Sequence, residues 1–300
     1  MPKEFTIETP KNFSLETAVC GHGWYDLAPF VWDAEAKSLS YVLRSASGKV
    51  VSKAIISARP RSLAVRLDKA SVGQEKAERD IRHILRLDDE MSEFYEVAAL
   101  KAGTQWVCSR GAGRLLRSAT VFEDLVKTLC TTNCSWALTR KMVENIVTKL
   151  GEPAGKGSNA FPTADAMASV DEDFYRNEIK AGYRSPFFVE LAQKVAGGEI
   201  DPEAFLNSDL PTPELKAEIK KIKGFGDYAA DNLLKLLGRN DGLALDSWLR
   251  ARFYEKHNKG KTCPDKKITK HYSKYGKWQG LMIWCDMTED WFEGKEANNP

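Results

Sequence analysis

The sequence predicts an α+β protein, mostly α with a small N-terminal antiparallel β-sheet. Three observations carry that prediction. Short runs of apolar and β-branched residues, broken by Gly and Pro, fill the first seventy or so positions. From Val72 onward the apolar spacing becomes helical. Between Ile219 and Leu237, two helical runs are joined by a tight glycine turn.

The strands come first. LSYVLRS (39–45) alternates as a half-buried strand does, Ala46-Ser47-Gly48-Lys49 reads as a turn, and VVSKAIIS (50–57) continues. SLAVRLD (62–68) follows Arg59-Pro60-Arg61 as a third strand. The change of period places a boundary after residue 72, giving a β domain at 1–72 and a helical domain at 73–300. QEKAERDIRHILRLDDEMSEFYEVAALKAG opens the helical part. ATVFEDLVKTLCTTNCSWALTRKMVENIVTKLG then reads as two helices joined near Thr131–Ser135. Phe122, Leu125, Val126 and Leu129 share one face of the first; Leu138, Met142, Val143 and Ile146 share one face of the second. A loop at Glu152–Ser158 precedes helices expected near 163–180, 185–197, 212–221 and 227–238.

Composition narrows the class. Three hundred residues with 43% apolar content support a real core in one large domain or two smaller ones. The 44 Lys and Arg against 42 Asp and Glu argue against a nonspecific nucleic-acid coat. Charge is nonetheless uneven. The stretch from Arg250 to Lys277 carries ten Lys or Arg and two acids, and Lys216, Lys220, Lys221 and Lys223 lead into the glycine turn. No apolar run approaches the ~18 residues of a membrane span. The start, MPKEFTIETPKNF, lacks the apolar region of a secretory signal, and the expected location is the cytoplasm. The six cysteines form no C-x-x-C, and Cys130 and Cys134, one helical turn apart, are expected to be core or near-core thiols. Four scattered histidines show no ligand spacing, so no metal site is expected.

Ile219–Asp246 carries the chemistry. IKKIKGFGDYAADNLLKLLGRNDGLALD reads as helix, glycine hairpin, second helix and a loop ending on one acid. Gly224 and Gly226 flank Phe225. Glycine allows positive φ and close approach of a partner, and the amides opening the next helix suit an anion such as a phosphate. Asp246 stands before the helical run SWLRARF. It reads either as the N-cap of that run or as a carboxylate facing a nucleotide held in DNA, and one residue can do both.

These residues resemble the helix-hairpin-helix DNA glycosylase superfamily, in the branch of 3-methyladenine DNA glycosylase II and the 8-oxoguanine DNA glycosylases. The hairpin KIKGFGDYAADNLL and the loop LALDSWLRARF carry the resemblance, and GRLLRSATVFEDLVKTLCTTNCSWALTRKMVENIV, FPTADAMAS, AGYRSPFF and YGKWQGLMIWCDMTEDW support it in the same order. It implies two helical subdomains around a cleft, an N-terminal sheet, and a partner in duplex DNA containing a damaged base, with the protein a monomer off the membrane. It implies no organic cofactor, and a monovalent cation at the hairpin backbone near Ile222 and Gly224 as an optional ligand.

The resemblance also implies roles. Asp246 matches the catalytic aspartate, which steadies positive charge building on the sugar as the base departs. Where many members have proline two residues before it, this chain has Ala244. Tyr228 occupies the place of the lysine that, in members which also nick DNA, attacks the sugar to form an imine. A phenol cannot form that imine, so the implied enzyme is monofunctional, with water as nucleophile. Asn133 matches the side chain that fills the gap left by an extruded base, with an interhelical cap as the bland reading. Trp284, six residues after Trp278, matches a base-stacking position, followed by Trp136 and Tyr228 as further pocket candidates. Lys223, Gly224, Phe225 and Gly226 would grip the DNA backbone, and Tyr183 and Arg184 are expected to be structural. Alkylated purines are the expected substrates. The alternatives are an 8-oxoguanine-type glycosylase and a noncatalytic helix-hairpin-helix DNA-binding protein.

Overall fold

A computed structural model describes residues 2–100, 103–155 and 157–292. The N-terminal sheet is antiparallel, with strand order β1-β5-β4-β3-β2. Its strands are β1 (Lys3–Glu8), β2 (Val31–Asp33), β3 (Ser38–Arg44), β4 (Val51–Arg59) and β5 (Ser62–Leu67). The three expected strands form its centre, in the expected order. In β5, Leu63, Val65 and Leu67 are buried while Ala64 and Arg66 are not, the period-2 pattern of a sheet with one face covered. A two-residue turn pairs Arg59 with Ser62 and leaves Arg61 at φ 55°. The edge strands β1 and β2 were not foreseen. KEFTIE is charged and buries only Ile7, and β2 is three residues long, so neither has a clear periodic signal.

The helices, in chain order, are α1 (Leu15–Cys20), α2 (Gln74–Ile84), α3 (Ser92–Ala99), α4 (Gln105–Ser109), α5 (Val121–Thr131), α6 (Trp136–Leu150), α7 (Ala164–Ala168), α8 (Glu172–Phe174), α9 (Ser185–Ala196), α10 (Thr212–Ile219), α11 (Asp227–Leu236), α12 (Ser247–His257), α13 (Asp265–Tyr272) and α14 (Gln279–Thr288). The single helix expected near 163–180 is instead broken. Thr163 caps α7, and Asp171 then accepts from the Phe174 amide (2.9 Å) to start a separate turn. A π-turn at Tyr175–Ile179 ends the run at Lys180, φ 66°. On α6 the buried set is Thr139, Met142, Val143, Ile146 and Val147; Leu138 is exposed, because the Ser135 cap sets the register one residue later.

Two apolar cores organise the chain. The larger joins the sheet (Leu39, Tyr41, Ile56, Val65) to α2, α5, α6, α9, α10 and α11, so the sheet has no core of its own. The smaller joins residues 91–115 to 243–287, bringing α3 and α4 against α12, α13 and α14. α11 belongs to the larger core, and Leu243 and Leu249 to the smaller. The loop from Gly238 to Asp246 therefore crosses from one core to the other, and the side chains at its end lie where the two meet.

Candidate active site

The hairpin between α10 and α11 assigns its two glycines different tasks. Gly224 has φ 91°, and an added Cβ there would lie 2.7 Å from both Leu129 and Phe187, so only glycine fits. Gly226 has ordinary φ, and an added Cβ would meet nothing within 4 Å. Its face is open. Gly226 is also the N-cap of α11 and supplies no capping side chain, so the first amides of the helix remain available to a ligand. Phe225 departs from expectation. Its side chain is buried in the larger core and its amide donates to the Ile222 carbonyl (3.0 Å), so the side chain anchors the turn from inside and is not presented at the surface. The Ile222 carbonyl accepts that amide and keeps a second lone pair.

Asp246 caps α12, its Oδ1 accepting from the Leu249 amide at 2.6 Å. That bond fixes the carboxylate. Tyr228, in the first turn of α11, faces it from the hairpin. The phenol is held above its usual pKa range by burial first, then by the charge of Asp246 and the hydrogen bond it donates there. Tyr228 thus stays protonated and donates, and the acid is brought to the open end of the hairpin. Ala244 adopts φ 49° and is buried. Proline is confined near −65°, so this loop follows a path that a proline at 244 could not take.

Trp284 lies on the same side of the molecule as α11. Its indole N–H donates to the Gly21 carbonyl (2.7 Å), which fixes the ring plane. Over that ring sits the ammonium of Lys235, 4.9 Å from the centroid. Lys235 is 3% exposed, and its Nζ has no hydrogen-bond partner among the described residues. Burial lowers its pKa to about 8, against the pull of Asp246 and Asp231. His22, from the N-terminal segment, has its ring 5.5 Å from Trp284 and bonds through Nδ1 to the Leu116 carbonyl (2.9 Å). A carbonyl only accepts, so Nδ1 carries the proton. Burial, and after it the charge of Lys235, lowers the pKa of His22 to about 3, leaving the ring neutral. Sequence reasoning passed over Lys235 and His22. The signal for Lys235 was a single cation inside the apolar run LLKLLG, seven residues and two helical turns beyond Tyr228.

Asn133 and Tyr183 form an exposed pair. Asn133 stands in the α5–α6 loop at φ 46°, and its Nδ2 donates to the Tyr183 hydroxyl (3.3 Å). It does not cap α6, since Ser135 does. Tyr183, expected to be structural, is 50% exposed. Arg184 is structural as expected: it is buried and bonds through Nε to the Thr132 hydroxyl (3.1 Å). Trp136 lies outside this group. Its N–H donates to Asp26 (2.8 Å) and its ring packs on Gly23, so it braces the N-terminal segment and is not joined to Trp284 or Tyr228.

The basic clusters are less free than their sequence suggests. Lys223 reaches Glu190 (3.4 Å), Lys220 reaches Asp227 (2.9 Å), and Lys216 reaches Asp231 (2.7 Å). Beyond the hairpin, Arg250 pairs with Asp265, Lys256 with Asp286 and Glu289, and Lys277 with Glu93. Most of these acids lie elsewhere in the sequence. Exposed pairs are weak, typically 0–1 kcal/mol, so Lys223 can exchange its acid for a phosphate at little cost. Two histidines expected to be scattered do meet: His257 and His271 have ring centroids 4.6 Å apart, and His257 Nε2 lies 2.7 Å from Asp286. That carboxylate already holds Lys256 and Tyr272, and the cluster reads as a structural network of the smaller core. A cavity of about 450 Å³ beside the sheet, lined by Tyr41, Phe122, Glu123, Phe161 and others, includes no residue of the hairpin or the Asp246 loop.

This architecture is similar to that of solved DNA glycosylases. A 3-methyladenine DNA glycosylase from Archaeoglobus fulgidus matches it with a TM-score of 0.77 at 18% identity, over 97% of this chain and 99% of that one. An 8-oxoguanine glycosylase/lyase from Clostridium acetobutylicum in its apo form matches at 0.73 and 19% identity, over 96% of this chain and 98% of that one. The same enzyme in complex with double-stranded DNA containing cytosine opposite 8-oxoguanine matches at 0.71, over 97% and 98%. No protein-family model matches the chain, and no curated protein matches its sequence. At these identities the likeness is one of fold. Among the described residues, no helix is long and apolar enough to cross a membrane.

Proposed function

We propose that the protein is a monofunctional DNA glycosylase of base excision repair. One observation carries this reading: the Asp246 carboxylate, fixed by the Leu249 amide, is met by Tyr228 at the mouth of a glycine hairpin whose helix start is open. In a protein that only bound DNA, the capping of α12 could be done by an uncharged serine or asparagine, whereas a carboxylate at this place also repels the phosphates.

The chemistry follows from the residues. The duplex backbone lies on the open amides of α11, with Lys223 contributing charge. The damaged nucleotide turns out of the stack toward Asp246. As the C1′–N bond breaks, its electron pair leaves with the base and positive charge develops on the sugar, where the Asp246 carboxylate opposes it. A water oxygen then bonds to C1′, and its proton passes to the Asp246 carboxylate and from there to the departed base, which left with the electron pair. Tyr228 donates to the carboxylate and holds it in place. It supplies no amine, so the strand is not nicked through an imine at this position. The fold is shared with enzymes named for 3-methyladenine and for 8-oxoguanine, and the expected alkylpurine substrate competes with the oxidised-purine alternative. The exposed Asn133 favours the latter.

Single-turnover base release on a panel of lesion duplexes tests the reading. Asp246→Asn should cut release by at least about a hundredfold with DNA affinity nearly unchanged, and Tyr228→Phe should cost less. Full turnover by Asp246→Asn sinks the catalytic assignment. A covalent adduct trapped by borohydride sinks the monofunctional one.

A further inference from the structure

We propose that Lys235 is the residue that selects the base, admitting uncharged bases that present an oxygen acceptor and rejecting bases that carry a positive charge. The inference rests on the glycosylase reading and specifies its substrate class.

The argument begins with position. Lys235 lies two turns along α11 from Tyr228, so both project from the same side of one helix. Long side chains on a helix lean back toward its N-terminus, which carries the ammonium toward the Asp246 end. There it meets the face of Trp284, a ring whose plane is fixed by its bond to Gly21. The ammonium thus lies over the face on which a planar base would stack.

A buried cation without a partner calls for an explanation. Buried charges are normally paired, because removing them from water is costly. Asp246 and Asp231 act on Lys235 only through space, and neither is an ion-pair partner. His22 is neutral and cannot balance the charge. The described residues do not complete this site, and an incoming ligand with an acceptor would.

The chemistry of an ammonium then defines that ligand. It has three donors and no acceptor. A base with an exocyclic oxygen, as in 8-oxoguanine, hypoxanthine or uracil, offers what it needs. Such a base is neutral in DNA and leaves with the electron pair of the glycosidic bond, so it becomes more negative as it departs. The ammonium opposes that charge on the base as Asp246 opposes the positive charge on the sugar. A purine alkylated on a ring nitrogen, such as 3-methyladenine, is already a cation in DNA. Placing it on Trp284 would bring two positive charges together in a desolvated pocket, where repulsion is strong.

The test compares wild-type protein with Lys235→Met and Lys235→Arg. Single-turnover release is measured on duplexes carrying 8-oxoguanine, hypoxanthine or uracil, and on duplexes carrying 3-methyladenine or 7-methylguanine. Wild type should release at least one of the neutral bases and discriminate against the cationic ones. Lys235→Met should lose neutral-base release by about a hundredfold or more and shift its preference toward the cationic bases, while Lys235→Arg retains part of the original preference. Thermal melting and DNA affinity establish that the variants are folded. Equal loss on every lesion, or a wild-type preference for the cationic bases, overturns the proposal. A borohydride adduct that forms with wild type and disappears in Lys235→Met also overturns it, by making Lys235 a nucleophile. If wild type releases no base of either class, the glycosylase reading fails first, and that result is distinct from a glycosylase whose selectivity ignores Lys235.

Discussion

The ammonium of Lys235 rests 4.9 Å from the centroid of the Trp284 ring, fully enclosed and without a hydrogen-bonding partner among the described residues. Its cost to the fold is measurable through pH. The folded pKa is about 8, below the ordinary 10.5. Between those values the unfolded chain binds a proton that the folded chain does not, so stability rises with pH across this window. Below pH 8 the penalty is present in full, on the order of 3 kcal/mol for a shift of this size. The charged groups acting on the ammonium are Asp246 and Asp231, with neutral His22 beside them. Lys235→Met keeps an unbranched chain in the slot and removes the charge. It should be more stable than wild type near pH 7 by about that amount, with the gap closing as pH approaches 10.5. Urea denaturation at several pH values reads this directly, and parallel curves for the two proteins would show that the amine is not buried as a charge.

The two hairpin glycines should respond oppositely to the same substitution. Gly224→Ala forces a side chain into φ 91° and against Leu129 and Phe187. Strain of about 1–2 kcal/mol and overpacking of about 1–3 kcal/mol both act against the fold. Gly226→Ala meets open space, so its effect on stability should stay within about 0.5 kcal/mol. Its methyl group would instead stand on the open face where the proposed function puts the backbone of a DNA strand. Melting should therefore detect the first variant, and duplex affinity the second. The affinity loss should be the same for damaged and undamaged DNA, because phosphate contacts carry little base information. A loss confined to one lesion would remove Gly226 from the backbone interface.

These glycines mark how far the sequence alone can be read. Strand, helix and hairpin were legible because their periods and turn residues are local: β3, β4, β5, α5, α6 and α11 stand close to where the pattern put them. Asp246 was legible both as a cap and as the acid beside the hairpin. What failed depended on tertiary context. Phe225 sits between the two hairpin glycines in sequence, yet it is a core residue, because the turn that bonds its amide to Ile222 points its ring inward. Nothing in the sequence near Trp136 separates a pocket aromatic from a packing one, and only the position of Asp26 shows where its N–H points. The basic run after Arg250 looked unopposed because its acids, Asp286, Glu289 and Glu93, lie outside the window. Lys235 was hidden for a related reason: a lysine in a helix usually reaches water, and only packing against Trp284 shows that this one does not. Ala244 was noted as a missing proline, but its φ of 49° shows a different loop path that no residue pattern encodes.

Asn133 and Tyr183 provide the last prediction. They meet across 3.3 Å at the tips of two separate segments, the α5–α6 loop and the turn before α9. Tyr183 is 50% exposed, its ring set edge-on to Phe187 and under the Arg184 guanidinium, with the rest open to a partner. Asn133 adopts φ 46°, a conformation costing about 1 kcal/mol outside glycine and eased in asparagine. Neither residue contributes to a core, so Tyr183→Ala should change stability by no more than about 0.5 kcal/mol, while Asn133→Ala should cost about 1 kcal/mol through its left-handed backbone. Both should slow base release from a fully paired duplex. Extruding a base costs a few kcal/mol in lost stacking and pairing, and side chains entering the vacated space offset part of that cost. When the target base is already unpaired, as in a single strand or opposite an abasic site, the cost falls and so should the effect of either substitution. The ratio of wild-type to variant rate should therefore be large on the paired duplex and near one on the unpaired substrate. A ratio that stays constant across the two would show that these side chains act after extrusion, on the base or the sugar, and not on the opening of the stack.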